Sequence, residues 1–122
     1  MRAYLHPKCS TCKNALKFLQ THFKKNQYEL VDITKRPPSQ AELKKMLKFY
    51  DGNIKKLFNT SGQLYRQLNL TEKLKIMSNE DALLLLANNG MLVKRPFLVG
   101  KEFGLVGFNE AAWKTSLTKT LQ

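Results

Sequence analysis

The chain has 122 residues, 43% of them hydrophobic, a length at which roughly two-thirds of the unfolded surface can be buried in one domain. Lysine and arginine number 21 against 9 acidic residues, a net charge of +12 that favours an acidic partner, whether nucleic acid, an acidic protein face or an anionic substrate. No apolar run approaches the ~18 residues of a membrane span, Met1–His6 lacks the apolar core of a secretory signal, and two cysteines are too few for a secreted disulfide scaffold, so a soluble cytoplasmic protein is expected.

Most of the cations are lysines, with only Arg2, Arg36, Arg66 and Arg95 as arginines. Many lysines recur at helical spacing on presumed outer faces, such as Lys13, Lys17 and Lys24, or Lys44, Lys45 and Lys48. A solvated basic surface without a dedicated partner accounts for that pattern. No helix-turn-helix or other DNA-reading motif accompanies the charge, so direct nucleic-acid binding is not expected.

Arg2–His6 reads as a first strand that ends at Pro7. From Cys12 the apolar positions Ala15, Leu16, Leu19 and Phe23 follow a helical period, which predicts a helix to about His22. Tyr28–Ile33 alternates like a second strand, so the first forty residues read as a parallel βαβ unit. Arg36-Pro37-Pro38 breaks the chain, and Ser39-Gln40-Ala41-Glu42 is a capping box that starts a helix with Leu43, Met46, Leu47 and Tyr50 inward. Asp51-Gly52 ends it. Residues 54–76 carry helical fragments, and Ser78-Asn79-Glu80-Asp81 caps another helix through Leu83–Leu86 to Gly90. Val93 and Phe97–Val99 then read as one strand, Gly100-Lys101 as a turn and Phe103–Val106 as its hairpin partner. Asn109-Glu110 caps a last helix with Trp113, Leu117 and Leu121 on one face, where Trp113 reads as core. The order βαβ, helical block, ββα predicts an α/β thioredoxin-like fold in one domain, 1–122, with a helical insertion at about 39–90.

Cys9-Ser10-Thr11-Cys12 falls between the first strand and the first helix. There Cys9 meets the unpaired amides and positive end of the helix, which stabilise a thiolate, the nucleophilic form of the thiol. Cys12, one turn further on, is placed to resolve a mixed disulfide on Cys9. Lys8 and Lys13 add positive potential. Two other readings compete: a pair of buried core cysteines, and a zinc site through His6, Cys9, Cys12 and His22. The latter lacks a second C-x-x-C or H-x-x-H to close a tetrahedral set, and no resident metal is expected. His6 alone reads as a strand-end residue. Lys94-Arg95-Pro96 is a second constellation. In a thioredoxin-like fold a proline entering the third strand faces the CxxC loop, and a cis bond there would leave a backbone edge free for a substrate chain. Arg95 would then turn its guanidinium towards Cys9 and bind an oxyanion, whereas Lys94 would face the other way.

Over nearly its whole length the chain resembles the family that joins glutaredoxin-coupled arsenate reductases with Spx-type redox regulators. The landmarks are His6-Pro7-Lys8-Cys9-Ser10-Thr11-Cys12-Lys13-Asn14, Asn59-Thr60-Ser61-Gly62 with Tyr65-Arg66, Lys94-Arg95-Pro96, and Val106-Gly107-Phe108. The resemblance implies a thioredoxin-like core with a helical insert, Cys9 as nucleophile and Arg95, beside Pro96 and Lys8, as the anion site. It also implies a thiol reductant (glutathione, glutaredoxin or thioredoxin) rather than a bound cofactor, and RNA polymerase as partner on the regulator branch. Reductases of this family surround the oxyanion with three arginines. Here only Arg95 matches, with Asn59-Thr60-Ser61 and Gly107 in place of the others. Cys12 stands where such reductases tend to have serine and resembles the switchable CxxC of the Spx-type branch, yet the arginine those regulators carry near Ser61 is missing.

Overall fold

Alternation along one short strand divides the molecule into two halves. In β1 (Arg2–Leu5), Ala3 and Tyr4 are both buried but point to opposite faces, as successive strand residues must. The computed structural model describes residues 1–121, with side chains as far as Thr118. After β1 come α1 (Ser10–His22), β2 (Glu29–Asp32), α2 (Gln40–Phe49), α3 (Gln63–Gln67), α4 (Leu70–Lys73), α5 (Asn79–Asn88), β3 (Phe97–Val99), β4 (Gly104–Val106) and α6 (Glu110–Leu121). The sheet order is β2-β1-β3-β4. β1 and β2 run parallel, with Tyr4 opposite Val31, while β3 lies antiparallel to both β1 and β4. This is the thioredoxin-like arrangement expected from the order of elements.

On one face Ala3 and Leu98 meet α1 through Ala15, Phe18, Leu19 and Phe23, and α6 through Trp113 and Leu117. Trp113 is 1% exposed, lies edge-on to Phe18 and Phe108, and donates its indole N–H to the Gly107 carbonyl at 3.1 Å. It is core, as its helical spacing suggested; the Leu121 side chain lies outside the described residues. On the other face Tyr4, Val31, Ile33, Phe97 and Val99 meet α2, α5, the turn at Leu57 and Phe58, α3 through Tyr65 and α4 through Leu70. Phe18, absent from the predicted stripe, is buried, whereas Leu16 is only half-buried.

The boundaries differ from expectation where backbone partners, rather than local pattern, decide. α1 starts at Ser10 because Cys9 serves as its N-cap. Val93 does not extend β3: it bridges Phe58 instead, with Asn59 N–H donating to the Leu92 carbonyl and Lys94 N–H to the Leu57 carbonyl. Pro96, which has no N–H for a ladder, separates it from β3. β4 begins at Gly104 rather than Phe103. Lys45 is not on an outer face; it is half-buried, and its ammonium donates to the Gly100 carbonyl. Asp51 and Gly52, at φ 57° and 78°, turn the chain out of α2, and Gly90 is required because a Cβ there would stand 2.3 Å from the Ile33 carbonyl oxygen.

Glu42 ties α2 to the sheet. Its amide donates to the Ser39 hydroxyl at 3.1 Å and its carboxylate accepts the Ser39 N–H at 3.1 Å, completing the capping box. The same carboxylate accepts the Tyr4 hydroxyl at 2.6 Å and Arg2 at 3.1 Å. Arg2 and Arg36 also hold Glu29, at 2.9 and 3.2 Å. At the other margin of the sheet, Val106 N–H donates to the Tyr50 hydroxyl at 3.0 Å.

Burial pushes the Glu42 carboxyl up, but hydrogen bonds from Tyr4 and Ser39 and the charge of Arg2 outweigh it, leaving the carboxyl below its ordinary value. A carboxylate lowered in the folded state stabilises above its unfolded value of about 4.3 and loses that stabilisation as acid protonates it. Glu42→Gln is therefore expected to cost about 1–2 kcal/mol at pH 7. The gap to the parent chain should shrink as the pH falls below about 4. Urea unfolding at neutral and acid pH measures both, and a gap that does not depend on pH would contradict this role.

Candidate active site

The end of β1 and the start of α1 are joined by a tight turn through Pro7 and Lys8. Cys9 N–H donates to the His6 carbonyl at 3.2 Å, and Lys13 N–H closes the first helical bond on the Cys9 carbonyl at 3.1 Å. Cys9 is the N-cap of α1, no acidic residue stands in the first turn, and no side-chain oxygen caps it. Helices normally fill that position with Ser, Thr, Asp or Asn, whose oxygen accepts the free amides. Here the Cys9 side chain makes no capping hydrogen bond, so the first-turn amides stay free, and those of Thr11 and Cys12 favour negative charge on the Cys9 sulfur.

The two thiols are free and sit in unlike surroundings. Cys9 is half-buried at the surface, and Cys12 is 1% exposed. Burial pushes the Cys9 thiol up, but the Cys12 and Thr11 amides, the Cys12 thiol and the Arg95 guanidinium together bring it below its ordinary value. Burial above all, with the hydrogen bond and charge of the neighbouring Cys9, raises Cys12 to about 11, against the His6 amide and Arg95, which lower it. His6 N–H points at the Cys12 sulfur, 3.4 Å away. One sulfur is thus more acidic than an ordinary thiol and the other less so.

His6 is a strand-end residue, as read from sequence. Its Nδ1 accepts the Lys8 N–H at 3.0 Å, and burial with the charges of Arg95 and Lys8 lowers its imidazole. His22 lies on α1 against the Phe18 ring, 4.4 Å between centroids, so it is not gathered with Cys9 and Cys12. Among the described residues no three His, Cys, Asp or Glu side chains come together as a metal site.

Arg95 precedes the buried Pro96 through a cis bond, and its charge bears on His6, Cys9 and Cys12. No carboxylate among the described residues pairs with it; the acidic partners go to Arg2, Arg36 and Lys75. Its guanidinium instead donates to the Met91 sulfur at 3.7 Å. Lys94 faces elsewhere, into a hollow of about 310 Å³ with Asn53, Lys55, Lys56, Phe58 and Thr60. Lys8 is exposed, beside the site rather than in it. Sequence reasoning missed the His6 backbone contacts and Met91. Neither leaves a signal in the sequence, since one is a main-chain bond and the other an apolar residue in a short turn. A wider hollow of about 1000 Å³, lined by Phe23, Phe49, Phe103 and Leu105, opens at the Met1 end of the sheet, away from the thiols.

A thioredoxin-like sheet, a CxxC at the head of its first helix and a cis-proline entering the third strand define a thioredoxin-like protein with a thiol pair at its candidate site. The chain belongs to the ArsC family, whose model matches residues 4–116. It is 47% identical over 107 residues to the uncharacterized protein YusI of Bacillus subtilis, covering 88% of this chain and 89% of YusI. It superimposes with a TM-score of 0.82 and 38% identity on the structure of a possible arsenate reductase from Streptococcus mutans, covering 94% of this chain and 96% of that one. It is 26% identical over 117 residues to the global transcriptional regulator Spx of Streptococcus pyogenes, covering 95% of this chain and 84% of the regulator.

The asymmetry of the thiols has a direct readout. Alkylation rates against pH should give Cys9 a pKa below the free value of about 8.5, with Cys12 unreactive at neutral pH. Arg95→Ala should raise the Cys9 pKa, and Lys94→Ala should move it less. Stability should change by no more than about 1 kcal/mol in either variant, because both are surface cations. A Cys9 pKa at or above the free value, or one unmoved by Arg95→Ala, would remove Arg95 from the site.

Proposed function

We propose that the protein is a cytoplasmic thiol–disulfide redox protein of the ArsC family, with Cys9 attacking and Cys12 resolving. The observation that supports it best is the division between the two sulfurs, one brought below its ordinary pKa and one raised to about 11. The Cys9 thiolate attacks one sulfur of a substrate disulfide; that S–S bond breaks, and the distal sulfur leaves as a thiolate that takes up a proton. Cys9 in the mixed disulfide then carries no charge. The repulsion and hydrogen bonding that Cys9 imposes on Cys12 are removed at that moment, so Cys12 ionises more readily when it is needed. Cys12 loses its proton and attacks the Cys9 sulfur, the product leaves as its thiolate, and the intramolecular disulfide is returned to two thiols by glutathione, glutaredoxin or thioredoxin. A leaving thiol of lowered pKa speeds such exchanges.

The extended similarity to Spx supports a second reading, in which the redox state of Cys9 and Cys12 gates a protein partner, RNA polymerase. An enzyme turns over disulfide with reductant, whereas a regulator binds stoichiometrically in one redox state. Arsenate reduction is the less supported alternative. A single arginine leaves most of an oxyanion's charge unpaired, and the position of another family arginine is Gly107, at φ 72°, where a larger side chain is strained.

Two outcomes are expected. Cys12→Ser should trap a mixed disulfide on Cys9, recovered in a pull-down and released by dithiothreitol; trapping that requires Cys12 instead would reverse the roles. Turnover with arsenate, glutathione and glutaredoxin should be weak or absent, and a rate equal to that of a reductase with all three arginines would overturn the reading of the anion site.

A further inference from the structure

The Arg95 guanidinium offers five N–H donors, yet among the described residues its one hydrogen bond is to a thioether. Arg95 Nη1 lies 3.7 Å from Met91 Sδ, four residues back across the turn Gly90–Leu92. Met91 is 44% exposed, Met46 is fully buried, and Met1 and Met77 are half-buried. The most exposed methionine among the described residues is therefore the one that contacts the cation of the thiol site.

We propose that Met91 is a site of reversible oxidation to the sulfoxide by peroxide, and that the sulfoxide oxygen engages Arg95 and weakens its support of negative charge on Cys9. The step balances: the thioether sulfur gives two electrons to hydrogen peroxide, one peroxide oxygen becomes the S=O oxygen, and the other leaves as water. A thioether is a weak acceptor, whereas the sulfoxide oxygen carries partial negative charge. The contact with the guanidinium becomes a charge-assisted N–H···O bond at roughly 2.8 Å. The partial charge offsets part of the field that Arg95 exerts, and the donor committed to it is withdrawn from any anion at Cys9. Oxidation at Met91 thereby lowers the thiolate share of Cys9 without touching either cysteine. The effect rests on the reading of Arg95 as the cation of the Cys9 site.

The test uses the full chain, with both thiols first masked as methyl disulfides, then treated with hydrogen peroxide and finally with dithiothreitol, which restores the thiols but leaves sulfoxide in place. Peptide mass spectrometry should find Met91 oxidised ahead of Met1, Met46 and Met77. Alkylation of Cys9 at pH 6.5 should slow about threefold, the change expected for a shift of about half a pKa unit, and treatment with methionine sulfoxide reductase should restore the rate. Met91→Leu should abolish the response to peroxide. Oxidation of Met1 or Met77 while Met91 survives, or a full sulfoxide at Met91 with an unchanged Cys9 rate, would overturn the proposal. Arg95→Ala separates the two ideas. If that variant slows Cys9 and the sulfoxide does not, Met91 has no such role while Arg95 keeps its own; if neither does, both fall.

Discussion

A helix that begins without a capping side chain leaves the amides of its first turn free, and in this chain a sulfur stands at that end. Because β1 ends at Leu5 and the His6 carbonyl takes the Cys9 N–H, Cys9 is fixed at the mouth of α1. The free amides and the positive end of the helix favour the Cys9 thiolate over the neutral thiol. Ionisation and local structure are thus coupled at one atom. The rest of the molecule serves that placement: Ala3 and Leu98 anchor α1 against the sheet, and the entry to β3 brings Arg95 to the same end.

The two cysteines differ because one turn of helix separates surface from core. Cys12 shares the inward stripe with Ala15 and Leu19, so its charged form is penalised by burial, while Cys9 keeps contact with water and amides. No acid or base need intervene to rank them. His6 contributes through its backbone N–H to Cys12 and its carbonyl to Cys9, while its ring Nδ1 accepts the Lys8 amide.

Much of this was legible in the chain itself. The capping box at Ser39 and Glu42, the CxxC between strand and helix, and the Arg95-Pro96 step are local patterns with a local physical cause, and each reappears in the structure. The segment 54–76 was less so, because its helical pieces are single turns interrupted by Asn69 in the left-handed region, φ 54°. Val93 alternates like a strand residue but pairs with Phe58, a partner that no local period can name. Glu42 showed its bond to Ser39 and hid its bonds to Tyr4 and Arg2, since cross-element partners depend on how β1 and α2 are packed. Lys45 reads as surface until Gly100 is brought beside it.

The margins of the sheet carry a further consequence. β2 and β4 are its outer strands, and an open strand edge is a template for another chain. β2 is four residues long, and its first residue, Glu29, is clasped by Arg2 and Arg36. β4 is three residues long, and its Val106 amide is already given to Tyr50. Short edges, one dressed with charge and the other partly closed by a hydroxyl, discourage accretion of copies, and the surplus of positive charge drives those copies apart. Two copies of the chain that meet edge to edge therefore find little free backbone to pair with.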